Sequence, residues 1–122
     1  MQKSYAKARM SIKDSHRYRY LFYFLLLTYY FSMSTVHLLI KGKVQGVFYR
    51  ATAKEVALAL DLKGWVRNTA EGNVEIIASG SEMAVQQFID WCKKGPDKAI
   101  VTSINVTSIK DESFDDFRIV RG

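Results

Sequence analysis

The chain has 122 residues, of which 48% are hydrophobic and 25% are charged, a composition typical of one globular domain with a single core. A single cysteine, Cys92, excludes an intramolecular disulfide and any zinc site built from several cysteines. The two histidines, His16 and His37, lie in different segments, so neither a metal nor another cofactor is expected.

The net charge of +6 belongs almost entirely to the N-terminal segment. Residues 1–33 contain six basic residues and one acidic residue, a net charge of +5, whereas the remainder contains 12 basic and 11 acidic residues. Binding to nucleic acid requires a basic face, which a charge-balanced segment does not supply. We therefore expect no nucleic-acid partner for residues 34–122.

The N-terminal segment is basic at first and then apolar. Its apolar run, "LFYFLLLTYYF", covers residues 21–31 and is typical of the central region of a secretory signal, with small residues at Ser32 and Ser34. The uncharged stretch 21–40 is also long enough to span a bilayer, although its second half is needed as a strand. A signal peptide, a membrane anchor and a structured extension remain open.

Our preferred interpretation is that residues 1–32 are an upstream in-frame extension and that the functional chain starts at Met33. The chain is accordingly divided into a basic and apolar extension, residues 1–33, and a domain, residues 34–122. Without the extension we expect a cytoplasmic protein. With it, we expect a secreted or membrane-anchored one, and in neither case does the domain itself enter a membrane.

The first half of the domain predicts a strand followed by a helix. Alternating apolar residues in "STVHLLIKG", residues 34–42, indicate a strand with His37 on the face opposite to Val36 and Leu38. Residues 50–60, "RATAKEVALAL", have helical apolar spacing. Gly64 is expected to end this helix, or the helix stops a residue or two earlier.

The second half predicts a hairpin, a helix and two strands. Two strands flank a turn at Glu71-Gly72, and Ser81 is the expected cap of the helix "SEMAVQQFIDWCKK". A long strand, "AIVTSINVTSI", and a short one, "FRIVRG", complete the chain. This order predicts an α+β fold of the ferredoxin-like split βαβ (βαββαβ) type, an antiparallel sandwich with two helices on one face of the sheet.

The loop "GKVQGVFYR", residues 42–50, is an unusual helix start. It offers no good capping side chain, and Arg50 lies where the helix dipole is positive. Gly42 and Gly46 allow the backbone to turn so that successive N–H groups converge on an anion. A bound phosphate would explain all three features. The alternative that the residues alone leave open is a loop whose N–H groups donate to water, followed by a solvated arginine.

Two motifs in the domain resemble those of the acylphosphatase family. The first is "GKVQGVFYR", which matches the family's Gly-x-Val-Gln-Gly-Val loop with an arginine at the helix start. The second is "GWVRNTAEGNVEIIASG", which matches a Gly-aromatic-x-basic-Asn pattern that continues through Gly-x-Val to a final glycine. The positions in register are Gly64, Trp65, Arg67, Asn68, Gly72, Val74 and Gly80. The resemblance covers residues 34–122.

The resemblance implies both a reaction and a set of site residues. Arg50 would bind phosphate and Asn68 would orient the attacking water. The backbone N–H groups that would cradle the phosphate belong to Val44, Gln45, Gly46, Val47, Phe48 and Tyr49. The implied reaction is the metal-independent hydrolysis of a small-molecule acyl phosphate to a carboxylate and inorganic phosphate. We expect the protein to be a monomer.

Several residues are expected to have other roles, and other functions remain to be weighed. Phe48 and Tyr49 are expected to pack under the loop, Arg67 to be solvated, and His37 to have no catalytic role. A non-catalytic phosphate or acyl-phosphate binding module is the alternative function. Binding of single-stranded RNA is disfavoured because the central strands lack paired aromatic residues.

Overall fold

The structure is a computed structural model that describes residues 12–121, apart from the side chains of residues 12–17 and Tyr30. The predicted extension therefore lies partly outside the described residues, including its basic residues Lys3, Lys7 and Arg9. The chain divides into two compact units, Met1–Phe31 and Ser32–Gly122.

The described residues of the first unit form the helix α1, Ile12–Phe31. The apolar run predicted from the sequence forms its C-terminal half, and large apolar side chains there are exposed, from Leu26 at 39% to Phe31 at 75%. Among the described residues, no helix is long and apolar enough to cross a membrane. The identity of this segment as an extension, a signal or an anchor stays a prediction.

The second unit is built on one five-stranded sheet. Its strands are β1 Met33–Lys43, β2 Lys63–Asn68, β3 Val74–Ser81, β4 Ile100–Ser108 and β5 Phe117–Ile119. They lie in the order β4-β1-β3-β2-β5. The first four pair antiparallel, which confirms the ferredoxin-like fold. The short β5 was predicted as a strand but pairs parallel with β2, so the sheet is mixed at this edge rather than wholly antiparallel.

Two helices, α2 Tyr49–Ala59 and α3 Glu82–Lys94, cover one face of the sheet. Because strand side chains alternate between faces, every second residue of β1 and β3 enters the core beneath them. Leu38, Ile40 and Ile76 are fully buried there, together with Ala53 of α2 and Phe88 of α3. This packing fixes α2 over the sheet and thereby fixes the loop that precedes it.

The helix ends show where local prediction succeeds and where it fails. Ser81 caps α3 as predicted, because its Oγ accepts a hydrogen bond from Ala84 N at 3.2 Å. The end of α2 was predicted too late: the helix stops at Ala59, and Asp61 takes the left-handed conformation with φ 57°. Gly64 instead belongs to β2, where an added Cβ would lie 1.9 Å from the carbonyl oxygen of Ile77.

Candidate active site

The loop between β1 and α2 curls in the way that its glycines predict. Gly46 has φ 74° and Phe48 has φ 63°, whereas the residues on either side of each have negative φ. Such an alternation turns successive N–H groups toward one side and forms an anion-binding concavity. Within the described part of the chain, no backbone or side-chain acceptor takes a hydrogen bond from the N–H groups of residues 44–48.

The conformation of Phe48 is costly for a residue that has a side chain. A non-glycine residue in the left-handed region is disfavoured by roughly 1–2 kcal/mol. Phe48 also occupies the N-cap position of α2, where its side chain makes no capping hydrogen bond. The helix start is therefore both strained and short of acceptors, which is the environment that an anion stabilises.

Arg50 lies in the first turn of α2, half buried. The first turn of this helix contains no acidic residue. None of the carboxylates in residues 18–121 forms an ion pair with Arg50. Its positive charge therefore adds to the helix dipole instead of being neutralised by the protein.

Arg50 and Asn68 line the same pocket, although 18 positions separate them in the sequence. The pocket has a volume of about 340 Å³, which is in the range of small-molecule sites. Asn68 is the last residue of β2, and its Oδ1 is buried without a hydrogen-bond partner in the described structure. A buried acceptor without a partner is rare and costs about 1–3 kcal/mol, so it marks a place where a donor is expected. The complete lining is Val44, Gly46, Phe48, Tyr49, Arg50, Ala51, Asn68 and Ile119.

Gln45 has a role in the structure that the sequence did not indicate. Gln45 is not among the residues that line the pocket, and its Nε2 donates to the carbonyl oxygens of Thr69 at 2.9 Å and Asn73 at 2.8 Å. These carbonyls belong to the turn that follows Asn68. The side chain of Gln45 thus connects the loop to the turn and helps to fix the distance between Arg50 and Asn68.

The prediction that Phe48 and Tyr49 pack under the loop holds for only one of them. Tyr49 is 1% exposed, and its hydroxyl donates to the carbonyl oxygen of Cys92 at 2.7 Å. Burial raises the pKa of the Tyr49 phenol far above its usual range. Phe48, which has the left-handed backbone conformation, is 78% exposed. Val47 is buried and, like Gln45, does not line the pocket.

A separate polar cluster lies on the uncovered face of the sheet. His37 faces away from Val36 and Leu38, as predicted, and its Nε2 lies 2.8 Å from Oε2 of Glu75. Nε of Arg67 lies 2.5 Å from the other oxygen of Glu75, so Arg67 is paired rather than merely solvated. Hydrogen bonds from His37 and then from Arg67 lower the pKa of Glu75. None of these three residues lines the pocket.

Sequence reasoning missed two residues of the pocket lining, Ala51, which directly follows Arg50 in α2, and Ile119. Ile119 of β5 lines the pocket and is 42% exposed. Ile119 lies two positions after the buried Phe117, so both side chains are on the face of the sheet that the helices cover. No local pattern shows that β5 ends beside the loop. No group of three or more His, Cys, Asp or Glu residues in the described part of the chain could hold a metal ion.

Comparisons with known proteins match the same part of the chain. The family model described as Acylphosphatase matches residues 36–119. An acylphosphatase of Syntrophus aciditrophicus is 46% identical over 89 residues, which are 72% of this chain and 93% of that protein. The crystal structure of the Bacillus subtilis acylphosphatase is 37% identical with a TM-score of 0.69, covering 72% of this chain and 98% of that one.

A longer protein contains a similar unit. The structure of full-length HypF in a phosphate- and nucleotide-bound form is 27% identical, with a TM-score of 0.66. The match covers 73% of this chain but only 12% of HypF. The same fold therefore occurs both in short chains and as a small part of a long one.

Proposed function

The chain belongs to the acylphosphatase family and hydrolyses acyl phosphates, and from this premise we propose a role for each part of its site. The phosphoryl group binds in the loop, and the guanidinium of Arg50 stabilises the negative charge of the phosphoryl oxygens. Asn68 orients the water that attacks phosphorus. The observation that carries the proposal is the pairing in one pocket of Arg50, which has no described ion pair, with the unpartnered Oδ1 of Asn68.

The loop and Arg50 act on the phosphoryl oxygens. Backbone N–H groups of residues 44–49 donate to these oxygens, and the guanidinium of Arg50 offers two parallel donors to the same group. Negative charge on the equatorial oxygens is present throughout the displacement of the carboxylate. Donors that are already fixed in position stabilise this charge without having to reorganise during the reaction.

Asn68 acts on the nucleophile. Its Oδ1 accepts a hydrogen bond from a water molecule and holds the oxygen of that water in line with the bond to be broken. The new bond joins the water oxygen to phosphorus, and the bond from phosphorus to the carboxylate oxygen breaks with its electron pair. The products are a carboxylate and inorganic phosphate. Since the amide of Asn68 is neutral and a poor base, the proton of the water passes to an oxygen of the phosphoryl group.

We propose that this reaction needs no metal ion. Phosphoryl-transfer enzymes commonly neutralise phosphoryl charge with Mg²⁺. Here Arg50, the N–H groups and the positive end of the α2 dipole supply that potential. The leaving carboxylate is already stable as an anion, so it needs no general acid.

The test follows hydrolysis of acetyl phosphate by the full chain with and without an excess of chelator, in water enriched in ¹⁸O. We expect equal rates and the label in inorganic phosphate. Activity that disappears with chelator and returns with a divalent cation would contradict metal independence. Label in acetate would contradict attack at phosphorus. A folded but inactive protein would favour the alternative, a non-catalytic binding module.

We also propose the division into an extension, residues 1–33, and a catalytic domain, residues 34–122. The family match, residues 36–119, and the compact unit 32–122 support this division. For a chain that begins at Met33 we propose a cytoplasmic monomer. Mass spectrometry of the native N-terminus and sedimentation of the native protein test these points. A native chain that begins at Met1, or a stable oligomer, would contradict them.

A further inference from the structure

Two exposed apolar side chains in the pocket have no part in phosphate binding or in the activation of water. They are the ring of Phe48, 78% exposed, and the side chain of Ile119, 42% exposed. Phe48 contributes an N–H group to the proposed cradle, but any residue except proline would supply that group. The ring itself therefore needs a separate explanation.

The strained backbone conformation of Phe48 is a second reason to look for a function of its ring. Glycine adopts positive φ at no steric cost, and the same loop uses it at Gly46, where φ is 74°. Asparagine would also be tolerated better than phenylalanine in the left-handed region. A strained residue that persists in a site is a reason to look for a function of its side chain. Phe48, in this strained conformation, lines the pocket and is 78% exposed.

Ile119 approaches the pocket from a different element. It pairs with Val66 of β2 in parallel register, two residues before Asn68. Since Phe117 packs its ring against Phe88 of α3, Ile119, two residues later, faces the same side of the sheet. The loop and the C-terminal edge strand thus bring two apolar side chains to one pocket.

The rest of the lining limits what these side chains can contact. Arg50 is the only charged residue among those that line the pocket, and Asn68 the only amide. With Arg50 and the N–H groups engaged by the phosphoryl group, no lining side chain remains to pair with a charge elsewhere on the substrate. The remaining walls are Val44, Phe48, Tyr49, Ala51 and Ile119, with the backbone of Gly46.

We propose that Phe48 and Ile119 form a subsite for the acyl group and that the preferred substrates are acyl phosphates with an uncharged aromatic or branched apolar acyl group. This inference rests on the proposed function. Contact with Phe48 and Ile119 removes apolar surface of the acyl group from water. A charged acyl group would lose its hydration there without gaining a partner.

The test compares kcat/KM for benzoyl, acetyl and succinyl phosphate in the full chain and in three variants. Phe48→Asn removes the ring while tolerating the left-handed backbone, and Ile119→Ala shortens the second contact. Ile100→Ala is the matched control, because Ile100 is a 61% exposed isoleucine of β4 that does not line the pocket.

We expect the unaltered chain to prefer benzoyl phosphate and to use succinyl phosphate least. The ratio of benzoyl to acetyl kcat/KM should fall by about 10-fold in Phe48→Asn and Ile119→Ala, the lower range for a hydrophobic pocket contact. In Ile100→Ala the ratio should not change. The proposal is overturned if kcat/KM falls equally for benzoyl and acetyl phosphate in both variants, or if kcat/KM changes for neither substrate. It is also overturned if the unaltered chain prefers succinyl phosphate.

A second readout separates this inference from the proposed function. Calorimetry measures the binding of two non-hydrolysable phosphonates, one with a phenacyl group and one with an acetonyl group. The unaltered chain should bind the phenacyl compound more tightly, and Phe48→Asn should remove most of the difference. If the chain hydrolyses nothing but shows this preference, the proposed function fails and the subsite stands. If it hydrolyses acyl phosphates without any preference, the subsite fails alone.

Discussion

The side chain of Gln45 donates a hydrogen bond to the backbone carbonyl of Thr69, with 2.9 Å between Nε2 and the carbonyl oxygen. Thr69 directly follows Asn68, and Gln45 lies in the loop that leads to Arg50. The same Nε2 also donates to the carbonyl of Asn73, across the turn. One amide group therefore connects the two segments on which the proposed catalytic residues lie.

This connection predicts that Gln45→Met impairs catalysis without unfolding the protein. Methionine has a similar length but no donor, so the loop can shift relative to Asn68. Because a small misplacement of reacting groups is costly, we expect kcat/KM to fall by about 10- to 100-fold. The reduction should lie mainly in kcat, because the phosphate-binding N–H groups remain.

The control for this variant is Gln87→Met, which removes the amide of an exposed glutamine on α3. Its activity should equal that of the unaltered chain. Steady-state kinetics together with thermal unfolding distinguishes a positioning role from a structural one. A Gln45→Met protein with normal kcat would show that the hydrogen bonds to Thr69 and Asn73 do not position the site.

A second prediction concerns the anchor beneath the loop, Tyr49. Its hydroxyl donates to the carbonyl of Cys92, near the end of α3, where the helix itself provides no N–H partner. Tyr49→Phe leaves this carbonyl buried without that donor, so the free energy of unfolding should fall by about 1–2 kcal/mol.

Denaturant unfolding measures this change, and Tyr20→Phe serves as the control. Tyr20 is 72% exposed on α1, and its substitution should alter the free energy of unfolding by less than about 0.5 kcal/mol. Equal stability of Tyr49→Phe and the unaltered chain would mean that the bond to Cys92 contributes nothing.

A third prediction concerns Glu75 and the dependence of stability on pH. Because His37 and Arg67 lower the pKa of Glu75 in the folded state, its contribution to stability is present above the ordinary carboxyl value of 4.5. It is lost as pH falls below that value through the lowered pKa. Glu75→Gln should therefore destabilise the protein at neutral pH, by at most about 1 kcal/mol since the cluster is partly exposed.

Urea unfolding of both proteins at neutral pH and near pH 3 measures this effect. The difference between them should shrink toward zero at the acidic pH. A difference that stays constant, or that grows on acidification, would contradict the role given to His37 and Arg67.

Much of the fold follows from the sequence because its signals are local. The alternation in β1, the helical spacing in α2 and the cap at Ser81 all concern residues a few positions apart. The parallel pairing of β5 and the end of α2 at Ala59 were not predicted, because packing of the whole sheet decides them. Gly64, which looked like a helix terminator, is required in β2 by its close approach to Ile77.

The candidate site, like the fold, was predicted from the sequence only in part. The helix start at Arg50 was recognised from missing caps and a misplaced charge, and the resemblance to a family added Asn68. The bonds of the Gln45 side chain, the exposure of Phe48 and the place of Ile119 in the pocket all depend on residues distant in the sequence. No local pattern could have shown them.

A fourth prediction concerns the pH dependence of the rate. The pocket lining includes no carboxylate, imidazole or thiol, so no protein group of these kinds should titrate in the reaction. We expect kcat to be flat from about pH 6 to about pH 8. A His37→Gln variant should give the same profile, because His37 lies outside the pocket. A bell-shaped profile with inflections in this range would require a general acid or base that the proposal does not contain.

The most direct test of the central claim compares Arg50→Ala with Asn68→Ala in the full chain, measuring both turnover of an acyl phosphate and inhibition by inorganic phosphate. Arg50→Ala should lose phosphate inhibition together with about 10²- to 10³-fold of kcat/KM, as expected for a preorganised charge stabiliser. Asn68→Ala should lose kcat but keep phosphate inhibition, because Asn68 is proposed to act on water alone. If Arg50→Ala still binds phosphate normally, or if Asn68→Ala turns over at the normal rate, the proposed division of labour between the loop and β2 is wrong.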